Sequence, residues 1–550
     1  MLRSIRVDDF TGGLNLDSNA FHVEKNQTGD LLNVDLNPKG GVSTRWGFRR
    51  INDTAVNGFT AGAFYPSKLW AWSGASRRIL LAANNGVYYS SGTNFTSLSL
   101  TTNNEFGAGF TGWDREDDSV VYIARGAGYQ VSKWDGASVT SLTASGTGAW
   151  QNDLTSPTGT HAPKGEHIAT HVDRLWIAGT TEGASTFPNR IRFSHPLFPE
   201  SWREDDYIDI PAGGSKITAI IPFGGHLIVF KQRSVWAIYG YSEDTFQLVE
   251  LTRRIGAMTT NAVALADNGI YFFSNPDGVF FYDGRSFKDL FVNLRPLAVG
   301  SEINESASDA VSMGWANGRA YLSIPSGDDA VNYATYDDST VAYDSDVRKF
   351  DGAVRATRST ISFVYDPTVG RGAWTAYKTH DGFGLTTPID FITDAGKAYH
   401  LAVHPYQPYV LSIDTRENSY YDRVTSASEA SNFESYYVTG WQDADNISAK
   451  KFWRRPEIVM RKDQNEHQVS IDVYRDWNDS QVCNTFTITQ DGFIGSEEWQ
   501  TWLPPDFGAD HHTTQSLGIA RSVKLKISGV YGPWAFYNIT YKFNPRKVRI

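Results

Sequence analysis

Two groups of residues have types and spacing that could hold a metal ion: His167-Ile168-Ala169-Thr170-His171 and Asp510-His511-His512. On a helix, His167 and His171 would converge on one face. On a strand, residues four apart share a face but stand about 13 Å from one another. The surroundings read as strand and loop, and neither group has the HExxH pattern, so both are read as structural or surface histidines. The single cysteine, Cys483, excludes a thiolate zinc site and an intramolecular disulfide. Acid–base chemistry by paired carboxylates would need a separation of about 5–9 Å, and the acidic content permits it. The nearest approach to a sialidase-type Asp box is Tyr365-Asp366-Pro367-Thr368-Val369-Gly370-Arg371-Gly372-Ala373-Trp374. Its Gly and Trp come too late, and the leading Ser or Thr is absent. No phosphate-binding glycine loop, nucleophile elbow or dinucleotide fingerprint occurs. The expectation is therefore a protein that is not an enzyme, with no catalytic residue, no cofactor and no metal.

The elements that would carry such residues are short strands. Apolar runs of four to seven residues, such as Leu227-Ile228-Val229-Phe230 and Ile270-Tyr271-Phe272-Phe273, are separated by Gly, Asn, Asp and Ser, which is the texture of an all-β chain. Gly86-Val87-Tyr88-Tyr89-Ser90-Ser91-Gly92-Thr93-Asn94-Phe95 and Gly278-Val279-Phe280-Phe281-Tyr282-Asp283-Gly284-Arg285-Ser286-Phe287 share Gly, Val, two aromatics, Gly and Phe at the same offsets. Looser copies place turn glycines at 136 and 240. The four glycines at 92, 136, 240 and 284 form two pairs, each 44 apart, with a gap of 104 that leaves room for another unit with a long loop. Four-stranded units of about 40–45 residues, each needing neighbours on both faces, predict a β-propeller.

Three zones follow. Residues 1–50 form an N-terminal extended arm of low hydrophobic density. Residues 51–425 form the propeller, with roughly six to eight blades expected and a polar insertion at about 326–358. Residues 426–550 alternate cleanly over longer strands and predict a C-terminal β-sandwich.

With 41% hydrophobic and 14% aromatic residues, the 550-residue chain is not disordered. The 50 basic against 61 acidic residues give a net charge of −11, which disfavours tight binding to nucleic-acid phosphates over the surface as a whole. The N-terminus lacks a signal-peptide core, and no stretch approaches 18 apolar residues, so neither export nor membrane spanning is expected.

The N-terminal zone also carries a resemblance. Asp9-Phe10-Thr11-Gly12-Gly13-Leu14-Asn15 is followed by Asn33-Val34-Asp35-Leu36-Asn37 and by Gly40-Gly41-Val42-Ser43-Thr44-Arg45-Trp46-Gly47-Phe48-Arg49-Arg50-Ile51. This order resembles the opening of tail proteins of tailed bacteriophages. Asn189-Arg190-Ile191-Arg192-Phe193-Ser194, Pro199-Glu200-Ser201-Trp202, Arg254-Ile255-Gly256-Ala257 and the ending Val523-Lys524-Leu525-Lys526-Ile527 to Pro545-Arg546-Lys547 resemble the same family. Within it, the chain is most similar to tail nozzles of the tail tubular protein B type in short-tailed phages. The resemblance implies a hexameric ring below the portal and adaptor that continues the DNA channel, lets DNA pass without specific contacts, and docks fibres or spikes. It also implies a virion location after assembly in the host cytoplasm. Two alternatives remain open: a minor tail or tip protein of a long-tailed phage contacting the host, and a propeller that cleaves or binds carbohydrate. Ring assembly needs aromatic and Arg-rich anchors. Arg45, Trp46, Phe48 and Arg49, and Phe452, Trp453 and Arg454, are the candidate interface residues, the alternative being aromatics packed in their own domain with solvated arginines around them.

Overall fold

In the computed structural model, Gly92, Gly136, Gly240 and Gly284 have φ of 62°, 94°, 106° and 94°, a region glycine enters without steric cost. Each lies between the third and fourth strands of a four-stranded antiparallel meander. Two of these turns are closed identically. Asp135 Oδ1 accepts from the N–H groups of Ala137 and Ser138, and Asp283 Oδ1 from those of Arg285 and Ser286, at 2.7–2.8 Å. The 44-residue spacing is thus the recurrence of one turn in successive sheets.

The structure describes residues 2–16, 23–59, 67–74, 76–102, 107–115, 118–142, 151–153, 156–157, 164–182, 184–203, 205–211, 213, 215–299, 311–324, 361–413, 421–424, 431–461, 467–490, 509–513, 516–531 and 533–545. The insertion expected at 326–358 lies outside them. Seven small sheets follow one another among the described residues. Blade one comprises Ser67–Trp72, Arg78–Ala83, Gly86–Ser91 and Asn94–Thr101, and blade two Gly109–Arg115, Asp118–Ala124, Ser132–Trp134 and Val139–Ser141. Blade three fills the 104-residue gap with His167–His171, Arg174–Glu182, Ser185–Phe193 and Tyr207–Asp209. Blade four is built from Ile217–Phe223, His226–Lys231, Val235–Tyr239 and Gln247–Thr252, and blade five from Val263–Ala266, Gly269–Ser274, Gly278–Tyr282 and Phe287–Asp289. Blade six has Ser312–Ala316, Arg319–Ile324, Ile361–Asp366 and Ala373–Tyr377. Blade seven has Thr386–Ile392, Ala398–Val403 and Val410–Ser412, and takes its fourth strand, Arg49–Arg50, from the N-terminus.

Alternation along the strands explains the radial arrangement. Leu80 and Ala82 pack toward blade two, whereas Ile79, Leu81 and Ala83 pack toward blade seven. Leu227 and Val229 face blade three; Ile228 and Phe230 face blade five. Each sheet therefore has two apolar faces, and one apolar cluster occupies each of the seven interfaces between neighbouring blades. Fully burying one such aliphatic side chain is worth about 1.5–3 kcal/mol, which a solitary sheet would forgo on at least one face. The ring closes where Ser67 Oγ meets Thr386 Oγ1 at 3.0 Å and the Leu69 N–H donates to Thr387 Oγ1 at 3.2 Å, joining blade one to blade seven.

The C-terminal region is a two-sheet sandwich. Ala535–Pro545 is the hub of an eight-stranded sheet that also holds Lys451–Trp453 and Glu457–Arg461, while Val523–Tyr531 pairs with His467–Arg475 in a five-stranded sheet. Period-two burial of Val469, Ile471 and Val473 and of Val523, Leu525 and Ile527 supplies the inner face of the second sheet. The sheets meet at Tyr437 and Phe536, whose rings lie 5.7 Å apart, with the Phe10 ring edge-on to both. Their core runs without interruption into blades five and six.

The arm is extended, but it lies along its own chain. Arg3–Val7 pairs with Val7↔Ile539 register against the sandwich hub, Val42–Thr44 joins the same sheet, Leu31–Leu32 joins the other, and Arg49–Arg50 completes blade seven.

Candidate functional site

The arm turns between sandwich and propeller through a buried ion pair. Arg45 Nη1 and Nη2 each donate to one oxygen of Asp422 at 2.9 Å, and both side chains are almost wholly buried. Arg45 also donates from Nε to Asn33 Oδ1 and from its two Nη atoms to the carbonyls of Trp46 and Lys378. Its guanidinium is stacked between Phe48 and Phe433, 3.7 Å from each ring centre. Asp422 takes two further hydrogen bonds, from the N–H groups of Phe48 and His380, both at 2.8 Å. Every polar atom of the pair is thus directed at a partner, which is the condition under which a buried ion pair can persist. Gly47 permits this turn: a Cβ there would stand 2.0 Å from the Tyr421 carbonyl oxygen.

Those placements revise the interface reading. Arg45, Phe48 and Trp453 are buried within the chain, so they cannot anchor a neighbour. Trp453 packs against Phe543, with ring centres 5.1 Å apart, and donates Nε1–H to the Ala520 carbonyl. Trp46 and Phe452 are half-buried, and Arg49 and Arg454 are exposed. An aromatic beside arginines has the same composition on a surface as in a core, and only its distant partners decide between them. Trp46 and Arg49 fall on one segment and Phe452 and Arg454 on another.

The histidine pair lies on the innermost strand of blade three. His167 is buried with Nε2 3.1 Å from the Ile217 carbonyl, and burial depresses its pKa to about 3. His171 is held down to about 4, first by burial and then by His226. His511 and His512 sit on strand Ala509–Thr513 in register with Val459 and Ile458. Among the described residues no group of three His, Cys, Asp or Glu side chains could hold a metal ion. The Asp-box-like segment is the hairpin between the third and fourth strands of blade six. Asp366 accepts from Thr368 N–H and from Arg319, and Trp374 is buried with Nε1–H on the Leu290 carbonyl.

One cleft, of 480 Å³, opens between the outer strands of blades three and four, bordered by Phe193, Arg203, Asp206, Tyr207, Glu243 and Phe246 among others. The turn Glu243–Thr245 brings Glu243 from blade four, and the connection into Tyr207–Asp209 brings Asp206 from blade three. Glu243 accepts from Arg174 at 3.1 Å and from Arg203 at 3.4 Å. Asp206 is 4% exposed and its Oδ2 has no hydrogen-bond partner. Burial, and next the Glu243 carboxylate, push its pKa up to about 6 against the opposing pull of Arg203, Arg174 and Arg192. Sequence reasoning did not single out these two acids, because they come from different blades and share no local motif.

No protein-family model and no curated protein matches the chain. Similar folds occur among solved structures. BBS1N, crystallised in complex with ARL6DN, is 8% identical with a TM-score of 0.38, covering 68% of this chain and 98% of its own. BamB from Moraxella catarrhalis is 8% identical with a TM-score of 0.31 over the same shares. An ancestral GH74 enzyme is 11% identical with a TM-score of 0.38, covering 69% of this chain and 54% of its own. At these identities and scores the likeness is one of architecture and says nothing of activity. The chain is an all-β propeller protein, and no helix among its described residues is long and apolar enough to cross a membrane.

Proposed function

We propose that this chain is a structural, non-enzymatic component of a phage tail. Six copies form a ring-shaped nozzle that continues the DNA channel below the portal and adaptor and docks fibres or spikes during genome ejection. The observation that carries the reading is where the tail-like N-terminal elements lie. Asn15 bonds Gln27 at 2.7 Å, Asn33 bonds the Glu434 carbonyl and Arg45, Asp35 bonds Arg319 of blade six, and Arg45 clasps Asp422. Three residues of the tail-like N-terminal elements, Asn33, Asp35 and Arg45, thus lie at the joint between sandwich and propeller. Such a joint suits a part that must transmit load without changing shape. The net charge of −11 accords with a conduit that DNA traverses without being gripped. Arg49 and Arg454, exposed beside half-buried Trp46 and Phe452, remain as contacts for a neighbour.

Native mass spectrometry of the purified full-length chain tests the ring. A species six times the 61.2 kDa chain is expected. A monomer at every concentration refutes the nozzle and favours a tip protein.

A further inference from the structure

The cleft between blades three and four holds features that the joint does not explain. Asp206 is buried, borders the cavity and leaves Oδ2 without a partner. A buried carboxyl oxygen with no donor is costly unless something supplies one. The guanidinium groups around it are engaged elsewhere. Arg174 and Arg203 donate to Glu243, Arg192 makes paired bonds to Glu182 at 2.6 and 2.7 Å, and Arg190 makes paired bonds to Asp209 at 2.8 and 2.9 Å. Apart from the exposed Asp205, the remaining border is apolar or aromatic: Phe246, Ile208 and Leu248 are half-buried, and Tyr207 is 40% exposed. Just outside it, Tyr241, at 74% exposed the barest large hydrophobic side chain in the described residues, precedes the turn that carries Glu243.

We propose that this cleft binds a neutral saccharide, with Asp206 accepting from sugar hydroxyls, Arg203 beside it on the same blade-three connection, Glu243 reaching in from blade four, and Tyr207 and Phe246 against the apolar face of the ring. Charge and shape select this ligand. A cationic ligand would face Arg203, with Arg174 buried behind Glu243; an anionic one would face Asp205, Asp206 and Glu243. A polyol with an apolar face avoids both penalties and carries the hydroxyl donors that the Asp206 carboxyl lacks. The volume of 480 Å³ lies within the range of about 300–1,000 Å³ typical of small-ligand sites. The inference does not depend on the nozzle reading, since a saccharide could bind this cleft in a monomer or a ring.

The test is saturation-transfer NMR on the full-length protein with a panel of neutral hexasaccharides (cello-, malto-, manno-, xylo- and chito-oligomers). Hexalysine and a sulfated oligosaccharide serve as the charged probes. At least one neutral oligomer is expected to bind with millimolar or better affinity, and Asp206→Asn and Arg203→Ala are each expected to weaken it at least about tenfold. Tyr207→Ala, altering an exposed side chain, carries the same expectation if either of the other variants fails to fold. Absence of binding by every neutral oligomer, affinity unchanged in the variants, or binding of hexalysine or the sulfated probe alone would each overturn the proposal.

Discussion

Replacing Asp422 by Ala should loosen the joint between sandwich and propeller more than any surface change. The carboxylate accepts four hydrogen bonds, two from Arg45 and one each from the N–H groups of Phe48 and His380. Its removal leaves the Arg45 guanidinium almost wholly buried without its counter-ion, which costs about 3–5 kcal/mol. The two orphaned N–H groups add to this by roughly 1–3 kcal/mol each if water does not reach them. A loss of at least about 4 kcal/mol is a large part of the roughly 5–15 kcal/mol by which a folded domain is stable. Hydrogen exchange read by mass spectrometry, alongside urea unfolding, suits this perturbation because a multi-part protein need not unfold in one step. Peptides containing Phe48 and His380 should lose protection, together with the strand Arg49–Arg50 that closes blade seven. The paired variant Arg45→Met with Asp422→Leu, which removes both charges, should recover much of the loss. If Asp422→Ala shifts stability by less than about 0.5 kcal/mol and leaves those amides protected, the ion pair does not hold the joint.

Further outcomes follow from other sites. Gly47→Ala forces a Cβ to within 2.0 Å of the Tyr421 carbonyl, and thermal denaturation should report a loss of about 1–3 kcal/mol or more. His167 and His171 are held neutral, with pKa values of about 3 and 4, so their contribution to stability is complete above the ordinary imidazole value near 6.5 and is lost as pH falls. Unfolding free energies from urea titrations should fall with falling pH by about 2–3 kcal/mol per pH unit near pH 5 from the pair, and the double variant His167→Asn/His171→Asn should flatten that slope. Asp206 has the opposite sense. Because its pKa is raised to about 6, the carboxylate is an increasing burden as pH rises from about 4 to 6. Asp206→Asn should therefore stabilise the protein at neutral pH by about 1–3 kcal/mol and confer no advantage at acid pH, and a gain of equal size at both would contradict the assignment.

The propeller was legible where a blade needs the same local geometry each time. Gly92, Gly136, Gly240 and Gly284 recur because the turn into a fourth strand demands positive φ. Blade three escapes that signal: the connection from Phe193 to Tyr207 is long, so no tight turn marks it. The fourth strand of blade seven lies at Arg49–Arg50, beyond reach of any contiguous pattern, because it pairs with Leu411 and Ser412 across the whole propeller. The fate of Arg45 was equally hidden. Its partner Asp422 lies 377 residues away, and without that partner an arginine between aromatics looks like a surface anchor. Period-two alternation identified the sandwich strands, yet it could not reveal that their core continues into blades five and six. The cleft acids depend on two blades being neighbours, which follows from the ring and not from any spacing between positions 206 and 243.

Electron cryomicroscopy of the virion, with an antibody against this chain marking its position, addresses the tail assignment most directly. The account predicts a sixfold ring at the portal-proximal tail in which each subunit is a seven-bladed disc with a sandwich at its side. Label found only at a distal tip, or single copies with no rotational symmetry around the channel, would contradict it.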